Sequence, residues 1–386
     1  MAVFTPPPAP SIRYIPSLDG VRAIAIIMVV LVHANYLSFG WIGVQIFFVL
    51  SGYLVSAVLL RSTEAHPDDS LLQHLKRFYW NRCLRIFPIY FTPLILATIA
   101  WLIFGGPPGF GEQQKYLYTF TYNIYRIIPH AGTGIPIEHL WSISAEEQFY
   151  LIWPFLFFLL PRTILARVVF SLVFIVPLLR MAFAWFVIQY LGWGLYPDRI
   201  SEIEYQLTIF QLDAFAMGAA LNFVNFSASF TAHCIRRFWI VLLIACYASL
   251  LNNGDWPNLH YDLFTFHGFC RDLCPPVMHY RYQYLAGFSV LNLLAALLIF
   301  SIIKGRDAIP FLDHPIVTYI GKISYGLYIF HAPIQVWTFR LLSIPDEKVG
   351  HGEATFPFII YIVVLLGFSS LSYHFFEKRF LRLKSG

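Results

Sequence analysis

Charge is scarce in this sequence. Asp, Glu, Lys and Arg make up 12% of its 386 residues, about half the share of a soluble domain. With 58% hydrophobic residues and a mean hydropathy of +0.64, the scarcity excludes a soluble globular chain. The net charge is only +5 and no basic patch stands out, which excludes nucleic acid as a partner. There are five cysteines, Cys83, Cys234, Cys246, Cys270 and Cys274. No Cys or His pairs recur at ligand spacing, so no metal is expected. His130 and His139 flank a Gly-rich stretch too loosely to argue a ligand set. The opening MAVFTPPPAP lacks the apolar core of a signal peptide. There is no tandem repeat and no break in composition.

What the chain has instead is long apolar runs. Ten are long enough to span or nearly span a bilayer: 22–39, 41–60, 86–104, 141–160, 168–190, 207–225, 238–251, 283–303, 317–339 and 356–376, the seventh being short. Aromatic residues reach 18%, many at run ends, where amphipathic rings anchor at the interface. With both termini in the cytoplasm, inner segments hold seventeen Lys and Arg and outer segments seven, as the positive-inside rule requires. The expectation is an all-α, multi-pass membrane protein in the lipid bilayer, of about ten helices. Its parts would be a disordered cytoplasmic tail at 1–17, a membrane domain at 18–380 and a short tail at 381–386, with no soluble module appended. Cys270 and Cys274 fall in an outward loop and could be bridged.

Ionisable residues inside such runs are costly and point to function. The first run reads SLDGVRAIAIIMVVLVHANY. Arg22 and His33 are eleven residues apart, three helical turns, so they share a face about 16 Å apart along the axis. Asp19 is placed to cap this helix. The bland alternatives are a snorkelling Arg22 and a His33 that only bridges helices. In the second run Gly43, Ser51 and Gly52 are small residues that permit close packing. Lys76, Arg77, Arg82 and Arg85 in LKRFYWNRCLRIFPIY suit a polyphosphate, or anionic headgroups.

HLWSISAEEQFYLIWP opens the fourth run. Ser142 or Ser144 would cap it, with Glu146 or Glu147 completing a capping box. Glu146 also lies at a depth from which it could orient His33. Asp213 sits inside the sixth run and calls for a partner. In GKISYGLYIFHAPI, Ser324, Tyr328 and His331 fall on one face, giving a second deep histidine. Near the end, Glu377 in SSLSYHFFEKRF would neutralise nearby arginines.

Taken in order, LDGVRAIAIIMVVLVH, GVQIFFVLSGY, RIFPIY, HLWSISAEEQFYLIWP, GKISYGLYIFHAP and SYHFFEKRF resemble the acyltransferase-3 family of integral-membrane O-acyltransferases, over residues 18–380. The resemblance implies an acyl-CoA donor, usually acetyl-CoA, and a sugar or polysaccharide acceptor often presented on the outer face of a bacterial inner membrane. It puts the essential Arg–His pair on Arg22 and His33, the cytoplasmic arginines on Arg77, Arg82 and Arg85, and the Trp-Ser-Glu stretch on Trp141, Ser142 and Glu146. Many relatives carry Arg two residues before the intramembrane Asp. Here Gln211 stands there, which removes that Arg–Asp pair and leaves Arg180 of the fifth run as one candidate substitute.

The expected chemistry places CoA phosphates on Arg22, Arg82 and Arg85 and carries the thioester roughly 15–20 Å inward. His33 would be general base, oriented by Glu146. Alternatively, His33 or His331 would carry the acyl group covalently. A proton-coupled transporter would use the same intramembrane His, Asp and Glu, but the two halves of the chain hold no paired interrupted runs. The outer stretches 105–140 and 252–282 would shape acceptor choice.

Overall fold

The computed structural model of the protein describes residues 14–37, 39–128, 136–191, 197–224, 287–304, 309–343 and 355–384. Among the described residues regular structure is helical, without strands. The helices are α1 (Pro16–His33), α2 (Ile42–Ala65), α3 (Leu71–Phe104), α4 (Pro108–Tyr118), α5 (Tyr122–Arg126), α6 (Trp141–Leu159), α7 (Arg162–Leu191), α8 (Pro197–Gln206), α9 (Thr208–Ala220), α10 (Gly287–Lys304), α11 (Pro315–Lys322), α12 (Ser324–Leu341), α13 (Thr355–Leu371) and α14 (Lys378–Leu381). A π-helical turn, Ser372–Glu377, joins the last two. Five helical stretches are long and apolar enough to cross a membrane: α1, α2, α3, α7 and Phe356–Leu381. Every expected apolar run but the seventh overlaps a helix. That run, 238–251, lies outside the described residues, as do His130, the stretch 252–282, Cys234, Cys246, Cys270 and Cys274.

Boundaries differ from expectation where local chemistry decides them. Helix α1 starts at Pro16, whose fixed φ suits the first helical position. Asp19 is therefore inside the first turn and does not cap; Ile15 is the cap residue and offers no side chain to the backbone. The helix ends at His33 rather than near 39, because Asn35 takes a left-handed φ of 59°, a conformation Asn tolerates and helices use to stop. The ninth run is two helices, broken at Ile323. The basic stretch before the third run is helical as well. Ser70 and Gln73 form a capping box, with Ser70 N–H donating to Gln73 Oε1 at 2.7 Å, so α3 begins at Leu71 and runs about 50 Å. The stretch 105–140, expected to be a long loop, holds α4, α5 and a 3-10 turn, Glu138–Leu140.

The bundle is held by close backbone approach. Helix α2 packs most extensively on α9, and α1 on α11 and α2. At the α2–α9 crossing a Cβ on Gly52 would overlap the Phe215 carbonyl, and one on Gly218 the Val49 carbonyl. Between helices in lipid, such small-residue packing supplies the van der Waals contact that a hydrophobic drive cannot. Gln335 Nε2 donates to the His33 carbonyl at 2.8 Å, fixing α12 against the end of α1.

Candidate active site

A cavity of about 710 Å³ follows α2 between α1, α3, α6 and α12. Its wall on α2 extends from Val44 to Ala65, about 30 Å of helix and so nearly the depth of a hydrocarbon core. Its volume is that of a site for a large organic ligand.

One end is basic. Because α3 is already helical there, Arg77, Asn81, Arg82 and Arg85 share one face and turn into the cavity, joined by Arg22 of α1, Arg61 of α2 and Lys384. Arg22 is paired with Asp19, which also accepts from Tyr14 Oη at 2.8 Å. Arg77 is paired with Asp69 at 2.8 Å. The Arg82 guanidinium lies 4.6 Å from the centre of the Tyr150 ring, a cation–π contact. Burial, then Arg85, Arg82 and Arg22, push the Lys384 ammonium down to about 8.

The other end closes on two hydroxyls. Ser142 Oγ and Tyr328 Oη are 2.5 Å apart, and Tyr328 Oη donates to the His139 carbonyl at 2.9 Å. Ser324, one turn before Tyr328, also lines the wall. Between the two ends, Glu146 accepts from both Ser51 and Tyr150. Ser142 and Tyr150 are eight residues apart on α6, about 12 Å.

Behind the hydroxyl pair lie three imidazoles. The His331 ring is 4.6 Å from that of His33 and 4.5 Å from that of His139, both edge-on; His33 and His139 are 6.4 Å apart. Tyr328 sits 5.4 Å from His139 and 5.6 Å from His331 between ring centres. His33 Nδ1 bonds the Val29 carbonyl at 2.8 Å, and His331 Nδ1 the Tyr328 carbonyl at 2.7 Å. A carbonyl only accepts, so each Nδ1 carries the proton, and a neutral ring keeps its lone pair on Nε2. His331 and His139 are buried, whereas His33 is exposed.

The expected site residues thus separate into groups. Arg22, Arg77, Arg82, Arg85, Glu146, Ser142, Ser324 and Tyr328 line one cavity. His33 and His331 meet in the imidazole cluster. Glu146 does not orient His33; the Val29 carbonyl does. The capping box at Ser142 or Ser144 is absent as well: both serines bond back to carbonyls, of His139 at 3.2 Å and Leu140 at 3.3 Å, because a 3-10 turn leads directly into α6. Trp141 is buried against Phe48 and Tyr205.

Asp213 lies apart, pairing with Arg180 in two-pronged contact at 3.1 and 2.7 Å, both side chains fully buried. Ser289 Oγ completes it, 2.6 Å from Asp213 Oδ2. Gln211 donates to the Glu204 and Tyr205 carbonyls. Glu377 makes no ion pair within 4 Å among the described residues and accepts from Ser372 at 3.3 Å. The sequence offers His139 only as a loose ligand pair with His130, although it opens the stretch HLWSISAEEQFYLIWP, and it marks no role for Tyr150 or Lys384.

A family model described as an acyltransferase domain matches residues 15–374. Among curated proteins the chain is similar to the peptidoglycan O-acetyltransferase OatA of Listeria monocytogenes, at 29% identity over 95% of the chain and 55% of that protein. It is also similar to the putative peptidoglycan O-acetyltransferase YrhL of Bacillus subtilis, at 26% over 95% and 55%, and to a putative O-acetyltransferase of Staphylococcus aureus strain COL, at 26% over 95% and 57%. The chain spans little more than half the length of these relatives. No solved structure matches it.

Proposed function

The chain belongs to the acyltransferase-3 family, and from that premise we propose that it is a multi-pass membrane O-acetyltransferase moving an acetyl group from acetyl-CoA to a hydroxyl of a cell-envelope glycan of the peptidoglycan class. The observation that carries this reading is the single cavity joining a cation cluster to the Ser142–Tyr328 pair, with exposed His33 beyond it. The basic mouth faces the cytosol, where acetyl-CoA is, and His33 faces the opposite side of the bacterial inner membrane.

The donor phosphates rest on Arg22, Arg82 and Arg85, with Arg77 and Arg61 toward the mouth. Tyr150 holds the Arg82 guanidinium against its ring, and Glu146 fixes Tyr150; Glu146 is then a positioning residue for the donor. Tyr150, which carries Arg82, lies about 12 Å along α6 from Ser142, a span within reach of an extended pantetheine arm. The thioester carbonyl ends at Ser142 and Tyr328, whose hydroxyls turn from the His139 carbonyl to donate to the oxygen that becomes negative during attack.

The glycan hydroxyl approaches His33 from the exposed side. His33 Nε2 takes its proton as the oxygen bonds the acetyl carbon. The carbon–sulfur bond then breaks, and the departing thiolate recovers one proton, so the reaction balances as ester plus free thiol. His331 and His139, packed edge-on, hold the His33 ring and offer lone pairs through which its proton can move.

The test is reconstitution in nanodiscs with radiolabelled acetyl-CoA and chitooligosaccharides or muropeptides. Alkali-labile acetyl on the glycan, in step with thiol release, supports the reading. Thiol release no faster than in empty nanodiscs and unlabelled glycan overturn it.

A further inference from the structure

Lys384 follows α14 and is the one cavity-lining cation from that part of the chain. It lines the same cavity as Arg22 of α1 and Arg82 and Arg85 of α3, whose positive charges act on its ammonium. Among the described residues no carboxylate pairs with Arg82, Arg85 or Lys384 within 4 Å. Glu377, in the π turn before α14, interacts with Arg85, and Glu146 of α6 is engaged by Ser51 and Tyr150. Three half-buried cations thus line one cavity with little negative charge beside them, an arrangement suited to a phosphate. The segment carrying Lys384 is itself tied to α3, where Trp80 Nε1 donates to the Leu383 carbonyl at 3.4 Å.

We propose that Lys384 is a ligand of the diphosphate of the acyl-CoA donor, and that the donor binds with uptake of a proton by this lysine. The inference rests on the acyl-CoA reading above and assigns a particular group of the donor to a particular end of the cluster. Lys384 interacts with Arg82 and Arg85, the α3 cations nearer the Ser142–Tyr328 end. Arg77, five residues before Arg82, lies about 7.5 Å nearer the mouth and shares it with Arg61 and His66. Counting outward from a thioester, the diphosphate comes first and the ribose 3′-phosphate second. Lys384 therefore meets the diphosphate, and Arg61 and Arg77 meet the 3′-phosphate.

The proton follows from charge. Burial and three guanidinium groups bring free Lys384 to about 8, and a bound dianion reverses that pressure. The lysine's contribution to affinity is complete below pH 8 and is lost as pH rises above it.

The experiment uses purified protein in nanodiscs and calorimetric binding of CoA and dephospho-CoA at pH 8, in two buffers of different ionisation enthalpy. For wild type, net proton uptake is expected. Lys384→Ala is expected to weaken both ligands about tenfold by the same factor, in keeping with loss of one charge-assisted bond, and to abolish the uptake. Lys384→Arg is expected to restore affinity to within about threefold without uptake, since Arg does not titrate in this range. CoA affinity unchanged in Lys384→Ala overturns the proposal. So does a loss confined to CoA, which would put Lys384 on the 3′-phosphate, or uptake that persists without the lysine. Wild type that binds no CoA overturns the donor reading itself, a different result from binding that ignores Lys384.

Discussion

His331 lies edge-on to His33 with ring centres 4.6 Å apart, one fully buried and the other exposed. Each is fixed by its own Nδ1 bond to a helix carbonyl. Two imidazoles so close act as one unit. His331→Ala is expected to lower kcat at least tenfold with little change in KM for acetyl-CoA. Adding it to His33→Ala should cost less than the product of the single losses. Steady-state kinetics of the two single variants and the double variant measure this, and fully multiplicative losses would separate the two rings.

The Ser142–Tyr328 pair faces the position given to the thioester oxygen. Tyr328→Phe removes one donor without changing ring packing, and a loss of about 10²–10³ in kcat is expected, as for other oxyanion donors. Ser142→Ala should act in the same direction. Donor binding, measured separately, should stay near wild type in both.

Glu146 fixes Tyr150, and Tyr150 carries Arg82. Glu146→Gln keeps the shape but weakens the charge-assisted bonds to Ser51 and Tyr150. KM for acetyl-CoA is expected to rise about tenfold, with kcat changing less. Were kcat to collapse at unchanged KM, Glu146 would belong with the imidazoles after all.

Arg180 and Asp213 form a fully buried pair outside the lining of the cavity. Asp213→Ala leaves a buried guanidinium unpaired, a loss of about 3–5 kcal/mol. Thermal unfolding in detergent should show a sharply lower Tm. Replacing both by Met and Leu should recover much of the loss, because no charge is then stranded.

Much of this was readable from residue spacing. A three-turn offset on α1 put Arg22 at the cavity and His33 at the imidazole cluster, and a four-then-three spacing on α12 put Ser324, Tyr328 and His331 on one side. Asp213 called for a partner because a carboxylate inside a span rarely lacks one, but Arg180 was no more than one candidate until the structure paired them. What spacing could not give was contact between helices distant in sequence. Glu146 and His33 share a depth, but the Val29 carbonyl satisfies His33 from its own helix, and Ser51 and Tyr150 take Glu146. His139 could be read only as a loose partner of His130 across a Gly-rich stretch, because the 3-10 turn that brings it beside His331 has no strong sequence mark. Lys384 looked like a tail residue because its setting depends on how α14 returns to α3.

The most direct measurement is donor binding and acetyl transfer by purified His33→Ala beside wild type. The account predicts acetyl-CoA affinity within about twofold of wild type and transfer to glycan lowered by about 10²–10⁴, the usual worth of a general base. Transfer near the wild-type rate would contradict it.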